Sequence, residues 1–287
     1  MIPARFDYHA PESAEAAVQL LGDLSSSGAD VKVLGGGQSL LPVMRMRLAA
    51  PEVVVDLSRA ADLSGVRDDG DAIVIGAMTT HADVVRDPLV REHALLVALA
   101  TETVADPQVR HRGTFGGALV HADPAGDLPA PALALDAEMV IAGPGGRRTV
   151  PARDFFIDVF TTAVGEDELL VEVRVPKYTG WGAHYEKFSR VAQAWVIVGV
   201  AAAVRVEGGT IAEARIGLTN MGSTPVRATA AEQALIGRPV TAEAVKEASA
   251  AAADGAQPPE DANGDAEYRR HLAGVLTARA VLAAAGA

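Results

Sequence analysis

Val31-Lys32-Val33-Leu34 is a short strand-like run that ends in three consecutive glycines, followed by Gln38-Ser39-Leu40-Leu41-Pro42. Three successive glycines lose too much conformational freedom to sit inside a helix or a strand, so Gly35-Gly36-Gly37 is predicted to be a turn. Without Cβ atoms, such a turn lets backbone N–H groups approach and cradle an anionic diphosphate, with the Ser39 hydroxyl as a further donor. An ordinary strand-ending turn uses the same residues, and this segment alone leaves both readings open. Two other nucleotide-binding patterns are excluded. The Rossmann fingerprint needs a third glycine where Leu40 stands, and the P-loop needs a Gly-Lys-Ser/Thr that the loop lacks.

A second glycine loop, Gly113-Thr114-Phe115-Gly116-Gly117-Ala118, is followed at short range by His121-Ala122-Asp123-Pro124-Ala125-Gly126-Asp127. Its paired glycines again permit close approach, and Asp123 and Asp127 are acceptors suited to sugar hydroxyls. Taken alone this segment reads more readily as a structured loop; two such loops together fit a long ligand with a diphosphate at its middle, which favours a dinucleotide.

Composition narrows the chemistry. The 25 Lys+Arg against 37 Asp+Glu give a net charge of −12, a field that repels nucleic-acid phosphates and anionic membrane surfaces. No cysteine is present, so disulfides, Cys-ligated zinc and a protein-ligated iron–sulfur cluster are impossible within this chain. His121-x-Asp123 supplies only two candidate ligands, and no metal site is expected. No Gly-x-Ser-x-Gly elbow supports a serine hydrolase. Glu166, Asp167 and Glu168, like Asp68, Asp69 and Asp71, read as solvated turn charges rather than an acid/base pair. The N-terminal residues lack a secretory pattern and no apolar run reaches ~18 residues, so a soluble cytoplasmic protein is expected.

At 287 residues the chain is long enough for more than one domain. Ser13 is placed to cap a helix whose apolar residues Ala16, Ala17, Leu20, Leu21 and Leu24 recur at spacings of three and four. With strands at 31–34 and 53–57 this makes a small α/β unit over about 1–58. Beyond it, a strand at 72–75 follows the turn Asp68-Asp69-Gly70-Asp71, Thr80 opens a capping box with Asp83, and 139–142 and 148–150 form a hairpin. A strand at 169–175 is closed by Pro176, the expected end of a first domain over 1–176. In a second domain, 177–287, strands are predicted at 185–191, 195–206 and 211–219, the last two joined by Glu207-Gly208-Gly209-Thr210. Helices follow at 228–236, 241–253 and 266–285, with 254–265 as a mobile loop. The fold class is α+β.

Taken with Arg47 and with Glu186-Lys187-Phe188-Ser189-Arg190, the two glycine loops resemble the FAD-binding medium subunit of molybdenum hydroxylases. The likeness is closest to carbon monoxide dehydrogenase-like enzymes, more distant to the flavin domain of xanthine dehydrogenase, and runs over nearly the whole chain. The resemblance implies a two-part, non-Rossmann flavin domain of the PCMH or vanillyl-alcohol-oxidase-like type, with parts at about 1–58 and 59–176. A smaller domain with a three-stranded antiparallel sheet and a helical bundle follows it. Leu34, Gly35, Gly36, Gly37, Gln38, Ser39, Leu40 and Leu41 would match the first diphosphate loop, and Thr114, Gly116, Gly117 and Ala118 the second. Asp127, with Asp123 before it, would match a carboxylate at the cofactor, Leu170 an apolar contact, and Lys187 a basic contact that favours electron density on the reduced ring. Trp195 is a candidate to stack on the isoalloxazine, with a plain core tryptophan as the alternative. Where relatives continue the Lys-Phe motif with Arg and then Asp, this chain has Val191 and Ala194. Gln38 stands where a histidine could tether the flavin, so the FAD is expected to be non-covalent.

The functional implication is an electron relay. A large molybdopterin subunit would hydroxylate the organic substrate, and a small subunit with two [2Fe–2S] clusters would pass electrons to the FAD here, which would reduce an external acceptor. The resemblance suggests a heterohexamer with two copies of each subunit. The missing cysteines fit that division, and no residue of this chain is expected to be catalytic. Two other functions stay open at this point: a self-sufficient FAD-dependent oxidase or reductase, and a flavin-free interaction protein of the same fold.

Overall fold

Ser13 caps the first helix, Ala14–Ser27, by accepting from the Ala16 N–H, and Gly28 closes its other end at φ +74°. In the computed structural model, which describes residues 1–287, this helix lays Ala14, Ala17 and Leu21 on a parallel sheet of β1 (Asp7–His9), β2 (Val31–Leu34) and β3 (Val53–Asp56). The strand order is β1-β3-β2. β1 carries no apolar pattern of its own and exists because β3 offers it an edge, pairing Asp7, Tyr8 and His9 with Val53, Val54 and Val55.

The next sheet is antiparallel. It contains β4 (Val66–Asp69), β5 (Ala72–Gly76), β6 (Glu138–Gly143) and β7 (Gly146–Pro151); a small separate ribbon of β8 (Phe156–Asp158) and β9 (Thr161–Thr162) then precedes its last strand, β10 (Leu169–Pro176). The order β4-β5-β10-β6-β7 puts β10 at the centre, which explains its apolar run. Leu169 and Val171 pack towards the first helix, whereas Leu170, Val173 and Val175 join the core around Phe115 and Leu119. A register shift between Leu170 and Glu172 makes both assignments possible, since one extra residue moves the side chains that follow to the other face.

The third sheet runs in chain order through β11 (Gly182–Phe188), β12 (Val198–Glu207), β13 (Thr210–Thr219) and a short β14 (Val226–Arg227). β12 is covered on both faces. Val198, Val200, Ala202 and Val204 meet the helices Thr229–Leu235, Ala242–Ser249 and Ala266–Ala285, while Ala201 and Ala203, with Tyr185 of β11, enter the core of the preceding sheet. The sheet lies directly on the helix Pro129–Ala134: a Cβ at Gly217 would stand 2.3 Å from the Ala130 carbonyl oxygen. No helix is long and apolar enough to cross a membrane.

Several local expectations change. The strands predicted at 185–191 and 195–206 end and begin elsewhere: their outermost rung is Phe188 opposite Val198, which leaves 189–197 as a loop with Gln193 at φ +72°. Trp195 is therefore not a core residue but is 60% exposed on that loop. The segment 254–265 is tied down, because Asp261 accepts from the fully buried Arg269, whose guanidinium also reaches the Ile197 carbonyl. The helix expected over 241–253 ends at Ser249 and tightens into a 3-10 turn, Ala250–Ala253. Four of the six turn carboxylates are paired rather than merely solvated, Asp68 with Lys177, Asp69 and Asp71 with Arg174, Glu168 with Arg148, while Glu166 is exposed as expected and Asp167 is half-buried.

Candidate cofactor-binding site

The first glycine loop leaves β2 and presents backbone amides that the chain does not use. None of the N–H groups of Gly36, Gly37, Gln38 and Ser39 donates to another protein group, a run of four donors available to an outside acceptor. Gly37 and Gln38 line a cleft of about 470 Å³ together with Leu41, Pro42 and Arg45, among others. Against a net charge of −12, the attraction for an anion here is local, from the amides and the Arg45 guanidinium.

The second loop lies against the first. A Cβ at Gly36 would stand 2.0 Å from the Arg112 carbonyl oxygen and 2.6 Å from Gly113 Cα, and one at Gly35 would stand 3.0 Å from Thr114 Oγ1. Glycine is thus required for the two loops to approach each other as well as for a ligand to approach them. Thr114 Oγ1 accepts from the Gly117 N–H at 3.3 Å, and Gly116 is pressed onto Ala77, 2.5 Å from where its Cβ would be. Behind the loop, the His81 N–H donates to the Gly113 carbonyl and the imidazole edge fills the space of a Gly113 side chain. His81 is 4% exposed; burial, with the nearby Arg110 charge, lowers its pKa to about 4.

Asp127 is buried where β11 and β13 cross the loop that follows. Lys187 Nζ donates to its Oδ2 at 2.8 Å and to the Thr103 carbonyl at 3.0 Å, and the Tyr185 hydroxyl donates to Oδ1 at 2.9 Å. Burial pushes the Asp127 carboxyl above the usual carboxylate range, against the opposing pull of Lys187 and Tyr185; burial likewise holds the Tyr185 hydroxyl well above its ordinary value.

Of the two predicted loops, Gly35 and Gly36 meet the second at Arg112, Gly113, Thr114 and Gly117, and Gly37 packs on Leu34 and Leu41; Gly116 packs on Ala77 instead, Leu40 opens the helix Leu40–Arg45, and Ala118 lies within the helix Phe115–His121. Asp127 and Lys187, expected separately at the cofactor, are bonded to each other, and each Asp127 oxygen already accepts one hydrogen bond from the protein. Asp123 instead caps its own turn through the Ala125 N–H. Leu170 is sealed in the core at 2% exposure, and Trp195 stands on the loop after Lys187. The sequence reading missed Arg45, Tyr185 and Thr103. Arg45 lies in the same motif as the glycines, and Tyr185 lies two residues before Lys187 on the same strand face; Thr103 acts through its carbonyl and leaves no side-chain signal.

The first glycine loop, with its unused amides, lies on the second, whose Gly113, Phe115, Gly116, Gly117 and Ala118 N–H groups all donate within the protein, on a fold that is not Rossmann. Residues 4–178 match the model of the FAD-binding domain in molybdopterin dehydrogenase, and residues 183–284 that of the CO dehydrogenase flavoprotein C-terminal domain. The chain is 45% identical to the carbon monoxide dehydrogenase medium chain of Hydrogenophaga pseudoflava, over 99% of this chain and 98% of that one. It is 36% identical to subunit alpha of the 6-hydroxypseudooxynicotine dehydrogenase complex of Paenarthrobacter nicotinovorans, over 97% and 94%. The solved carbon monoxide dehydrogenase from Hydrogenophaga pseudoflava lacking the Mo-pyranopterin moiety superposes with a TM-score of 0.94 at 47% identity, covering 100% of this chain and 99% of that one. The chain belongs to the FAD-binding medium subunits of the molybdopterin dehydrogenases.

Proposed function

We propose that this chain is the electron-relaying flavoprotein subunit of a molybdenum hydroxylase. It takes electrons from [2Fe–2S] clusters on a small partner subunit and delivers them to an external acceptor, while a large molybdopterin subunit transforms the organic substrate. Bound FAD supplies the exchange between one-electron and two-electron carriers. The chain's own residues bind and tune it. The amides of Gly36, Gly37, Gln38 and Ser39, with Arg45, would hold the diphosphate, and Thr114 and Gly117 would close the cradle from the second loop. Leu34, Leu40 and Leu41 would supply apolar walls, and Lys187 a positive charge beside the ring, held by Asp127. Trp195, exposed on its loop, would meet the isoalloxazine. Gln38 offers no nucleophile for a covalent tether, so the FAD is dissociable. We place the division between the flavin domain and the smaller domain at Pro176, and the assembly as two copies of each of three subunits.

The observation that carries this reading is the run of four unused amides on the first glycine loop, which itself packs on the second, in a chain that has no cysteine for a cluster of its own. Asp127, the buried acid that follows the second loop, is held by Tyr185 on one oxygen and by Lys187 on the other. The substrate is selected in the large subunit; relatives of this chain serve enzymes named for carbon monoxide and for 6-hydroxypseudooxynicotine.

The test has two arms. The purified chain is incubated with FAD, freed of excess and precipitated with acid; near-stoichiometric flavin released into the supernatant supports non-covalent binding. The assembled complex is then compared with and without flavin. A flavin-free complex that reduces the terminal acceptor at full rate refutes the relay, and the chain alone oxidising an organic substrate refutes the division of labour.

A further inference from the structure

Asp127 and Lys187 are 60 residues apart in sequence, and what holds them together is a feature of the third sheet. Lys187, Gly199 and Thr219 stand side by side on β11, β12 and β13, in register as Lys187 opposite Gly199 and Gly199 opposite Thr219. This row faces the loop that carries Asp127. In its middle, Gly199 leaves a hollow, and the Tyr185 hydroxyl occupies it: a Cβ at Gly199 would stand 2.7 Å from Tyr185 Oη. Thr219 Oγ1 is 3.3 Å from the same hydroxyl. From there Tyr185 donates to one oxygen of Asp127 while Lys187 donates to the other.

We propose that Tyr185 and Gly199 form a positioning device for Lys187. The hollow admits the Tyr185 hydroxyl, the hydroxyl fixes the orientation of Asp127, and the remaining Asp127 oxygen fixes the ammonium at the cofactor. This rests on the reading that Lys187 lies beside the flavin. Neither Tyr185 nor Gly199 touches the cofactor in this scheme; both act through Asp127. Tyr185 is 6% exposed and its ring packs in the core with Ala201 and Ala203, so removing the hydroxyl alone leaves the packing in place. Without that donor, Asp127 has only the ammonium to satisfy it. The carboxylate charge is then less compensated, and the positive field that Lys187 exerts on the ring weakens. A weaker positive field favours the oxidised flavin.

The experiment measures the midpoint potential of FAD bound to the full-length chain in wild type, Tyr185→Phe and Gly199→Ala, with a spectroscopic titration and the thermal midpoint for each. Gly199→Ala keeps the hydroxyl but denies it the hollow. Val200→Ala, on the opposite face of β12, is the control for destabilisation alone. Tyr185→Phe is expected to bind FAD stoichiometrically with its reduction equilibrium shifted about tenfold towards the oxidised form, about 30 mV lower for a two-electron couple. Gly199→Ala, if it folds, shifts it in the same direction, and Val200→Ala lowers the thermal midpoint without moving the potential. A Tyr185→Phe chain with wild-type potential and spectrum overturns the positioning role while leaving FAD binding intact. Failure of the wild-type chain to take up FAD at all overturns the cofactor reading, and this inference with it.

Discussion

Substituting alanine for Gly36 tests whether the two glycine loops form one cradle. The new Cβ would fall 2.0 Å from the Arg112 carbonyl oxygen and 2.7 Å from its carbonyl carbon. Both are backbone atoms, so no side-chain rotation relieves the clash. Ordinary non-bonded contact is about 3.5 Å, so the loops must part by roughly 1.5 Å. Overpacking of this kind costs about 1–3 kcal/mol of stability, and backbone against backbone belongs at the upper end. The shift also carries the free amides out of line with the diphosphate. Losing two hydrogen bonds to a charged group, at about 1.5–3 kcal/mol each, weakens FAD binding by at least about a hundredfold. Gly35→Ala is the internal comparison. Its Cβ would meet Thr114 Oγ1 at 3.0 Å, a side-chain atom able to give way, so its effect should be several-fold at most. FAD titration followed by flavin fluorescence, with thermal unfolding of each variant, reads both effects. Gly36→Ala binding FAD within threefold of wild type, or no worse than Gly35→Ala, would show that the loops do not form a joint cradle.

Asp127→Asn leaves the Lys187 ammonium buried without its counter-charge and should destabilise the chain by about 3–5 kcal/mol in urea unfolding, whereas the double variant Asp127→Asn/Lys187→Met should recover most of that loss. His81 has a folded pKa of about 4 against about 6.5 unfolded, so the folded state binds fewer protons between these values and stability falls as pH drops from 6.5 to 4, by about 3 kcal/mol in all. His81→Gln should flatten that part of the acid limb. Asp127, with its raised folded pKa, contributes with the opposite sign as pH rises above its unfolded value, so the difference between the two proteins isolates the histidine. Trp195→Ala, at an exposed loop position, should leave unfolding within about 0.5 kcal/mol of wild type while altering the absorption and fluorescence of bound FAD; an unchanged flavin spectrum would remove Trp195 from the site.

Much of the architecture was legible along the chain because its signals are local. Ser13 and Thr80 cap the helices that follow them, since a cap needs only a hydroxyl within three residues of a free amide. The glycine triplet announces a turn because no side chain is available to stabilise anything else there, and the absence of cysteine is enough to assign any cluster to other chains. What failed were ends and partners. β1 has no pattern of its own, and the edges of β11 and β12 depend on where Phe188 and Val198 meet rather than on propensity, so Trp195 reads as strand when it belongs to a loop.

By itself, then, the order of residues determined the two glycine loops, the central apolar strands and the chemistry this chain cannot perform, because each follows from side chains or their absence over a few neighbouring positions. Only the tertiary structure decided that Gly36 is needed for one loop to lie on another, that Asp127 is held by Lys187 and Tyr185, and that Gly199 is a hollow for a hydroxyl. Each of these depends on atoms distant in sequence, brought within a few ångströms by strand register and by the packing of one sheet on the next, and no short-range pattern encodes that distance.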